Sequence, residues 1–377
     1  MSLVLAGDDM QSLTGYLVHN RRVAVQLRRV VILVFLVLVA TPGVARADQA
    51  DDYVKAQMDR FHLPGLSLVV LKDGQVIKAQ GYGLANVESK QRAQPDTVYK
   101  IGSVSKQFIA TGITLLVQDS RLGLDEPISK YLTGTPSAWA PMTIRQLLTH
   151  TSGLVRESPG FDPFKTQSDA DIIKAAYSVH LSAKPGDTWE YSNLGYYVLA
   201  EIIRVASGRP WNEYLNERVF KPAGMTATLP TNTTQSVANR AKGYGGRDNA
   251  RTAPDWTALR PSGAFLSTVL DLAKWEALLY SDRVLTTSSR HQMWTPVPLN
   301  DGTTAPYGFG WHVDSWNGHR RLWHGGGIPG FASHYVRFPE VGLTLIALAN
   351  GDDADMGAIV NGLAQSVYLS QPASAAK

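Results

Sequence analysis

The sequence predicts an α+β fold: one antiparallel sheet built from both chain ends and flanked by helices, with a mostly helical domain inserted between them. Three observations predict it. Strand-like apolar runs cluster around residue 70 and return beyond residue 306. Between them, apolar residues recur at helical spacing. Turn and capping residues punctuate both regions.

Taken in order, residues 48–60 carry the spacing of a short amphipathic helix ending before Leu63-Pro64-Gly65. Residues 66–71 form an apolar β-rich run, Asp73-Gly74 is a hairpin turn signal, and 75–82 is the returning strand. Helical periodicity covers 106–119, 143–148, 168–177, 194–207, 211–220 and 267–281. Ser267-Thr268-x-x-Asp271 is a capping arrangement, and Gly208 closes the helix that begins near Leu194. Short strands return at 307–314, 321–323, 331–338 and 343–348, and a last helix runs from about 355 to 368. No internal repeat is present. The expected division is a signal peptide over 1–47, one domain over 48–368 and a flexible tail over 369–377. Within the domain, an α/β part (about 48–118 and 300–368) brackets the helical insert (about 119–299), and the cleft between them is the expected site.

The 377 residues are 44% hydrophobic and 18% charged, enough for a sizeable core. The formal net charge is +4, but residues 1–47 hold five arginines against two aspartates, leaving +1 for the rest. No Lys/Arg run survives there, so nucleic acid and anionic membrane surfaces are not expected partners. Arg28 and Arg29 precede an apolar stretch over 30–40, Thr41-Pro42-Gly43 break it, and Ala45-Arg46-Ala47 offers small residues for cleavage after Ala47. That stretch reaches only ~16 Å as a helix, about half a hydrocarbon core. Membrane contact is therefore expected only during export, with the mature chain periplasmic or secreted; a retained anchor is the alternative. Cysteine is absent, which removes disulfides, thiol nucleophiles and Cys-based zinc sites.

Three motifs carry chemistry. Ser103-Val104-Ser105-Lys106 stands where the segment ending at Gly102 enters a helix. Residues three apart share a helix face, so the Lys106 amine can reach and activate the Ser103 hydroxyl. The same tetrad recurs at Ser374 to Lys377 in the tail, so it decides nothing alone. Tyr191-Ser192-Asn193 lies in a loop ahead of a helix; a tyrosine near an ammonium can be depressed toward phenolate and act as general base. Tyr214-Leu215-Asn216 repeats the pattern inside a helix, where the two side chains diverge. His324-Gly325-Gly326-Gly327 follows a short strand ending at Trp323. Its glycines admit a substrate backbone, and the N–H groups of Gly327 and Ser103 would form an oxyanion hole. His-Gly-Gly-Gly also occurs in α/β-hydrolases, but ahead of a Gly-x-Ser-x-Gly elbow that this chain lacks.

In this order and setting the three motifs resemble the serine β-lactamase and penicillin-binding-protein superfamily, above all its class C branch with D-alanyl-D-alanine carboxypeptidases and family VIII esterases. The resemblance covers about residues 51–368 and extends to Leu147-Leu148-Thr149-His150-Thr151-Ser152-Gly153-Leu154, Phe220-Lys221-Pro222-Ala223-Gly224-Met225 and Tyr307-Gly308-Phe309-Gly310-Trp311. It implies a β-lactamase/transpeptidase-like fold, Ser103 as acylated nucleophile, Lys106 as its activator, Tyr191 as general base and Asn193 as a substrate-positioning group, with no cofactor or metal. His324 and Gly325 depart from the superfamily's Lys-Thr-Gly, which helps hold the carboxylate of a β-lactam. A neutral imidazole and a bare glycine should hold it less well. The expectation is thus an exported serine hydrolase of ester, peptide or amide substrates. A class C β-lactamase or carboxypeptidase, and a non-catalytic binding protein of the same fold, are the rivals. Oligomeric state is left open. His150 reads as a structural hydrogen-bonding residue, 351–355 as a solvated helix cap, and Phe161, Phe164, Tyr244 and Trp256 as candidate linings of an acyl pocket.

Overall fold

The computed structural model of the chain describes residues 42–369, residue 264 excepted. It divides into two units, Met1–Asp52 and Tyr53–Lys377. The described part of the first is the opening of helix α1 (Pro42–Arg60). Pro42 and Gly43 therefore begin a helix here, where the sequence suggested that they end one. Proline suits a first turn, because its missing N–H would have no partner inside the helix. The arginines and apolar run of the expected signal peptide lie outside the described residues, as does the tail from 370.

In the second unit, β1 (Gly65–Lys72) and β2 (Gln75–Asn86) form a hairpin through Asp73 and Gly74, whose φ values of 50° and 75° suit a tight two-residue turn. The short β3 (Gln91–Arg92) follows. From the C-terminal third come β4 (His312–Trp316), β5 (His319–Ile328), β6 (Phe331–Phe338) and β7 (Leu343–Ala349). The sheet order is β3-β2-β1-β7-β6-β5-β4. β1 pairs antiparallel with β7, from Leu66 opposite Ala349 to Lys72 opposite Leu343, so the two ends of the domain meet in mid-sheet. Every residue of β6 and β7 is buried, which explains why β7 reads as a nearly continuous apolar run, while β6 also buries Ser333, His334 and Arg337.

The helices are α2 (Lys106–Gln118), α3 (Asn193–Ser207), α4 (Val269–Leu278) and α5 (Met356–Leu363), with shorter ones between. α2 is buried on every side from Lys106 to Leu116, including the polar Lys106, Gln107, Thr111 and Thr114. Phe108 in its first turn meets Phe220, Phe265 and Trp275 at ring distances of 5.1, 5.8 and 5.3 Å. α4 starts after Thr268, whose Oγ1 accepts the Asp271 N–H at 3.0 Å, and Gly208 ends α3 at a φ of 72°.

Three local expectations change. Strand structure in 307–314 starts only at His312, because Gly308 and Gly310 interrupt what precedes it. Phe265–Ser267 pairs with Tyr99–Lys100 and Leu229–Pro230 in a small sheet, so Ser267 ends a strand rather than starting a helix. β5 continues past Trp323 to Ile328: pairing of Gly325, Gly326 and Gly327 with His334, Ser333 and Ala332 overrides the weak strand propensity of glycine.

Candidate active site

Ser103 stands on a single 3₁₀ turn, Gly102–Ser105, that runs directly into α2. Gly102 has a φ of 51°, and a Cβ there would lie 2.9 Å from the Gly327 nitrogen. Only glycine brings the nucleophile turn this close to β5. A Cβ on Gly326 would lie 2.2 Å from the Ile101 oxygen, and Ser333 Oγ donates to that same oxygen at 2.8 Å. Bare backbone on β5 and a hydroxyl from β6 thus set the chain immediately ahead of Ser103. β4 pairs with β5 only from His319 to Trp323, so among the described residues its side of the Gly325–Gly327 margin carries no strand.

Lys106 is fully buried, and its Nζ lies 3.1 Å from Ser103 Oγ. It donates to Asn193 Oδ1 at 2.7 Å and to the Ser262 carbonyl at 2.9 Å. Burial, reinforced by the guanidinium groups of Arg260 and Arg156, holds the ammonium well below the usual lysine range; Glu157 opposes the shift. Asn193 opens α3, which Ser192 caps by accepting the Gly195 N–H at 3.0 Å. Asn193 Nδ2 donates to Glu157, Arg260 donates to the same carboxylate oxygen, and Arg260 Nε donates to Ser262 Oγ at 2.9 Å. Both acceptors of Lys106 are therefore tied to one half-buried ion pair.

Tyr191 precedes the cap of α3 in a segment gripped by His150. The His150 carbonyl accepts the Glu190 N–H at 2.8 Å, and its Nδ1 accepts the Ser192 N–H at 3.1 Å. The two rings are 4.3 Å apart. The His150 imidazole is well below its usual range through burial, so this is a neutral structural clamp. Lys106 Nζ lies 4.7 Å and the Arg156 guanidinium 5.3 Å from the centre of the Tyr191 ring. A depressed phenol is expected beside such charges, but burial outweighs Ser103, Arg156 and Arg260 and pushes Tyr191 up. The phenol keeps its proton because losing water disfavours the anion more than these cations favour it.

His324 also corrects the sequence expectation. It is buried, Nδ1 donates to the Gly325 carbonyl at 2.6 Å, and Nε2 accepts from Tyr307 Oη at 2.8 Å. Burial, with His312 and Lys106 nearby, holds the imidazole well below its usual range. Both nitrogens are occupied by the protein, so the side chain supports the aromatic cluster and is not offered to a substrate. Gly325 and Gly327 leave the strand bare, and a Cβ on Gly327 would meet nothing within 4 Å.

The fold therefore gathers Ser103, Lys106, Tyr191, Asn193, Gly326 and Gly327, and turns His324 away. Tyr214 bonds Arg218 at 3.3 Å and belongs to a separate helix. Phe161 packs 6.1 Å from Trp256 and beneath Arg260, Phe164 is exposed, and Tyr244 is tied to Val87 and Glu88 elsewhere. Asp355 Oδ1 caps α5 by accepting the Ala358 N–H at 2.9 Å. Among the described residues no three His, Cys, Asp or Glu side chains are grouped to hold a metal ion. Glu157, Arg260 and Ser262 were not visible as site residues in the sequence. Arg260-Pro261-Ser262-Gly263 reads only as a turn, and nothing periodic links it to Lys106.

A buried lysine one turn after a serine, faced by a tyrosine, an asparagine and a glycine-rich strand of a seven-stranded antiparallel sheet, defines a serine hydrolase of the β-lactamase and penicillin-binding-protein fold. The chain belongs to the β-lactamase family, whose family model (Beta-lactamase) matches residues 50–368. It is 30% identical over 329 residues to penicillin-binding protein 4* of Bacillus subtilis (strain 168), covering 81% of this chain and 72% of that one. Other curated relatives are longer, and the chain spans 60–62% of their length. Among solved structures, the octameric penicillin-binding protein homologue from Pyrococcus abyssi superposes with a TM-score of 0.73 at 26% identity, covering 84% of this chain and 76% of that one. The D-amino acid amidase from Ochrobactrum anthropi SV3, complexed with L-phenylalanine, gives 0.71 at 27%, covering 85% and 95%.

Proposed function

We propose that the chain is an exported, cofactor-free serine hydrolase that cleaves amide, peptide or ester bonds through an acyl-enzyme on Ser103. The three contacts of Lys106 Nζ carry this reading. A neutral amine has two N–H groups and one lone pair. Asn193 Oδ1 and the Ser262 carbonyl can only accept, so they take the two N–H groups and leave the lone pair for the Ser103 hydroxyl. The depressed lysine favours that neutral form.

Ser103 Oγ attacks the substrate carbonyl carbon while its proton passes to Lys106. The carbonyl electron pair moves onto oxygen, which meets the N–H groups of Ser103 and Gly327; each such donor contributes about 3–4 kcal/mol. Collapse breaks the C–N or C–O bond, and the leaving group takes a proton from the Tyr191 phenol, which Lys106 replenishes. Water then attacks the acyl-enzyme. Its proton returns by the same route, the acid departs, and the Ser103 hydroxyl is restored.

The unpaired margin of Gly325–Gly327 suits an extended peptide or amide. The similarity to a D-amino acid amidase agrees with that substrate class. A class C β-lactamase or D-alanyl-D-alanine carboxypeptidase is disfavoured by an occupied, neutral His324 and by Gly325, which has no hydroxyl. A binding protein without activity is disfavoured because Ser103, Lys106, Tyr191 and Asn193 are all present. Export rests on residues 1–47, and the secreted protein should begin at Asp48 on N-terminal sequencing. A fluorescent fluorophosphonate should label the wild-type protein and spare Ser103→Ala; equal labelling of both would overturn the assignment.

A further inference from the structure

One buried ammonium takes no part in the chemistry above. Lys100 lies three residues ahead of Ser103, on the short strand Tyr99–Lys100 that pairs with Phe265–Ser267. Its side chain is 1% exposed, and Nζ donates to Asp255 and to the Trp256 carbonyl. Both bonds land on one loop. Beyond Trp256 that loop is fastened again, because the Thr257 and Ala258 N–H groups donate to the Pro163 carbonyl at 3.1 and 3.0 Å. The rings of Trp256 and Phe161 lie 5.9 and 4.8 Å from the Arg260 guanidinium. Arg260 Nε then donates to Ser262 Oγ at 2.9 Å, and the Ser262 carbonyl accepts from Lys106 at 2.9 Å. The loop thus starts from an amine just before the nucleophile and ends on the amine that activates it.

We propose that Lys100 is a positioning residue: it pins residues 255–262 so that the Ser262 carbonyl and the Arg260 guanidinium stay in place around Lys106. This deepens the hydrolase reading and rests on it for the role of Lys106. A buried ammonium adds little stability, because leaving water costs about what its ion pair returns. It does add geometry. A lysine ammonium has three donors, and here they tie a carboxylate and a main-chain carbonyl of one loop to the strand that leads into Ser103. Asp255 keeps Arg240 at 3.1 Å as a second partner, so losing Lys100 strands no charge; it frees the Trp256 carbonyl and with it the loop. A loosened loop lets water reach Lys106 and lets Arg260 recede. Burial and Arg260 both lower the Lys106 pKa, so both changes raise it. Glu157 and Arg156, the other charges that reach Lys106, sit on the separate loop ahead of α3.

Lys100→Met removes the ammonium and keeps the stem. One readout is the rate at which a fluorophosphonate labels Ser103. The other is the titration of Lys106, followed by NMR of protein labelled at the lysine ε-carbons, with Lys106→Met identifying the signal. Lys100→Met should label about 10- to 100-fold more slowly than wild type, as a displacement of about 1 Å in a catalytic group allows, and its Lys106 should titrate at higher pH. Lys100→Arg, which keeps the charge and donors, should restore part of both. An unmoved Lys106 titration overturns the inference at any labelling rate; joined to a lowered melting temperature, it marks the bonds of Lys100 as structural alone. Where wild type labels, an equal rate in Lys100→Met overturns the inference as well. If Lys100→Met does not fold, Asp255→Asn, a change at a half-exposed side chain, decides by the same titration: an upward shift supports the inference and no shift overturns it. The titration needs no turnover, so the two ideas separate. A shift in a protein that neither labels nor hydrolyses supports the inference while the hydrolase reading fails. No shift in an active enzyme overturns the inference and leaves that reading standing.

Discussion

Lys106 Nζ donates to Asn193 Oδ1 at 2.7 Å, and this bond leaves the lysine lone pair for Ser103. In the proposed mechanism Asn193 thereby takes part in activating the nucleophile. Its amide can accept from the lysine and donate to Glu157 at once. An aspartate could only accept.

Asn193→Asp should place an anion beside Lys106 and favour the ammonium. In the proposed mechanism Lys106 acts as a neutral amine, so wild-type kcat/KM should fall as pH drops through the depressed lysine pKa. In Asn193→Asp that acid limb should move to higher pH, and activity at pH 7 should fall about 100-fold, the scale of a lost general base. A pH–rate profile of an ester substrate checks both, and an unmoved acid limb would contradict the role given to Lys106.

Arg260 and Glu157 form one ion pair but act on Lys106 with opposite sign, Arg260 lowering its pKa and Glu157 raising it. Arg260→Gln should shift the acid limb up and Glu157→Gln should shift it down, each with kcat reduced by about tenfold through loosened positioning. A merely structural pair would weaken both variants without opposite shifts. Profiles of kcat against pH for the two variants decide it.

Gly326 and Gly327 are neighbours in sequence with contrasting surroundings. Gly326→Ala drives a Cβ into the Ile101 carbonyl and Ser333 Oγ, at 2.2 and 2.3 Å. Activity should drop by about 100-fold or more as the oxyanion donors move, and the melting temperature should fall with it. Gly327→Ala faces open space and should melt within about 1 °C of wild type, since surface changes rarely exceed 0.5 kcal/mol. Thermal melts of the pair, with fluorophosphonate labelling rates, test the contrast.

Asp169 provides a stability test away from the site. Burial raises its carboxyl to about 7, while its oxygen accepts Trp211 Nε1–H at 2.7 Å. Between the ordinary carboxylate pKa of 3.8 and about 7, the folded chain keeps a proton that the unfolded chain releases. Stability from this group is therefore full below the lower value and lost as pH rises through the upper one. Asp169→Asn keeps the acceptor and removes the charge. Its melting temperature should fall less than that of wild type between pH 4 and pH 8, by about 2–4 °C. Parallel melting curves in the two proteins would refute this.

The sequence by itself determined the elements that depend on neighbours along the chain. The Asp73-Gly74 hairpin, the Thr268 cap, the Gly208 stop and the buried runs of β1 and β7 all follow from local sterics and from apolar patterning. The three motifs were legible for the same reason, since Ser103 and Lys106 share a helix face and Tyr191 and Asn193 share one capped turn. Tertiary structure decided the rest. His324 looked available because its glycines marked a bare strand, but side-chain direction on a strand is set by pairing, and pairing turned it onto Tyr307. Tyr191 looked poised to ionise because charges stood near, but burial depends on what packs above it. Arg260 and Ser262 come from a turn about 155 residues beyond Lys106, and no spacing rule spans that distance. The charge that sets the lysine, and Arg156 beside it, emerge only when the loop ahead of α3 and that turn close over the same amine.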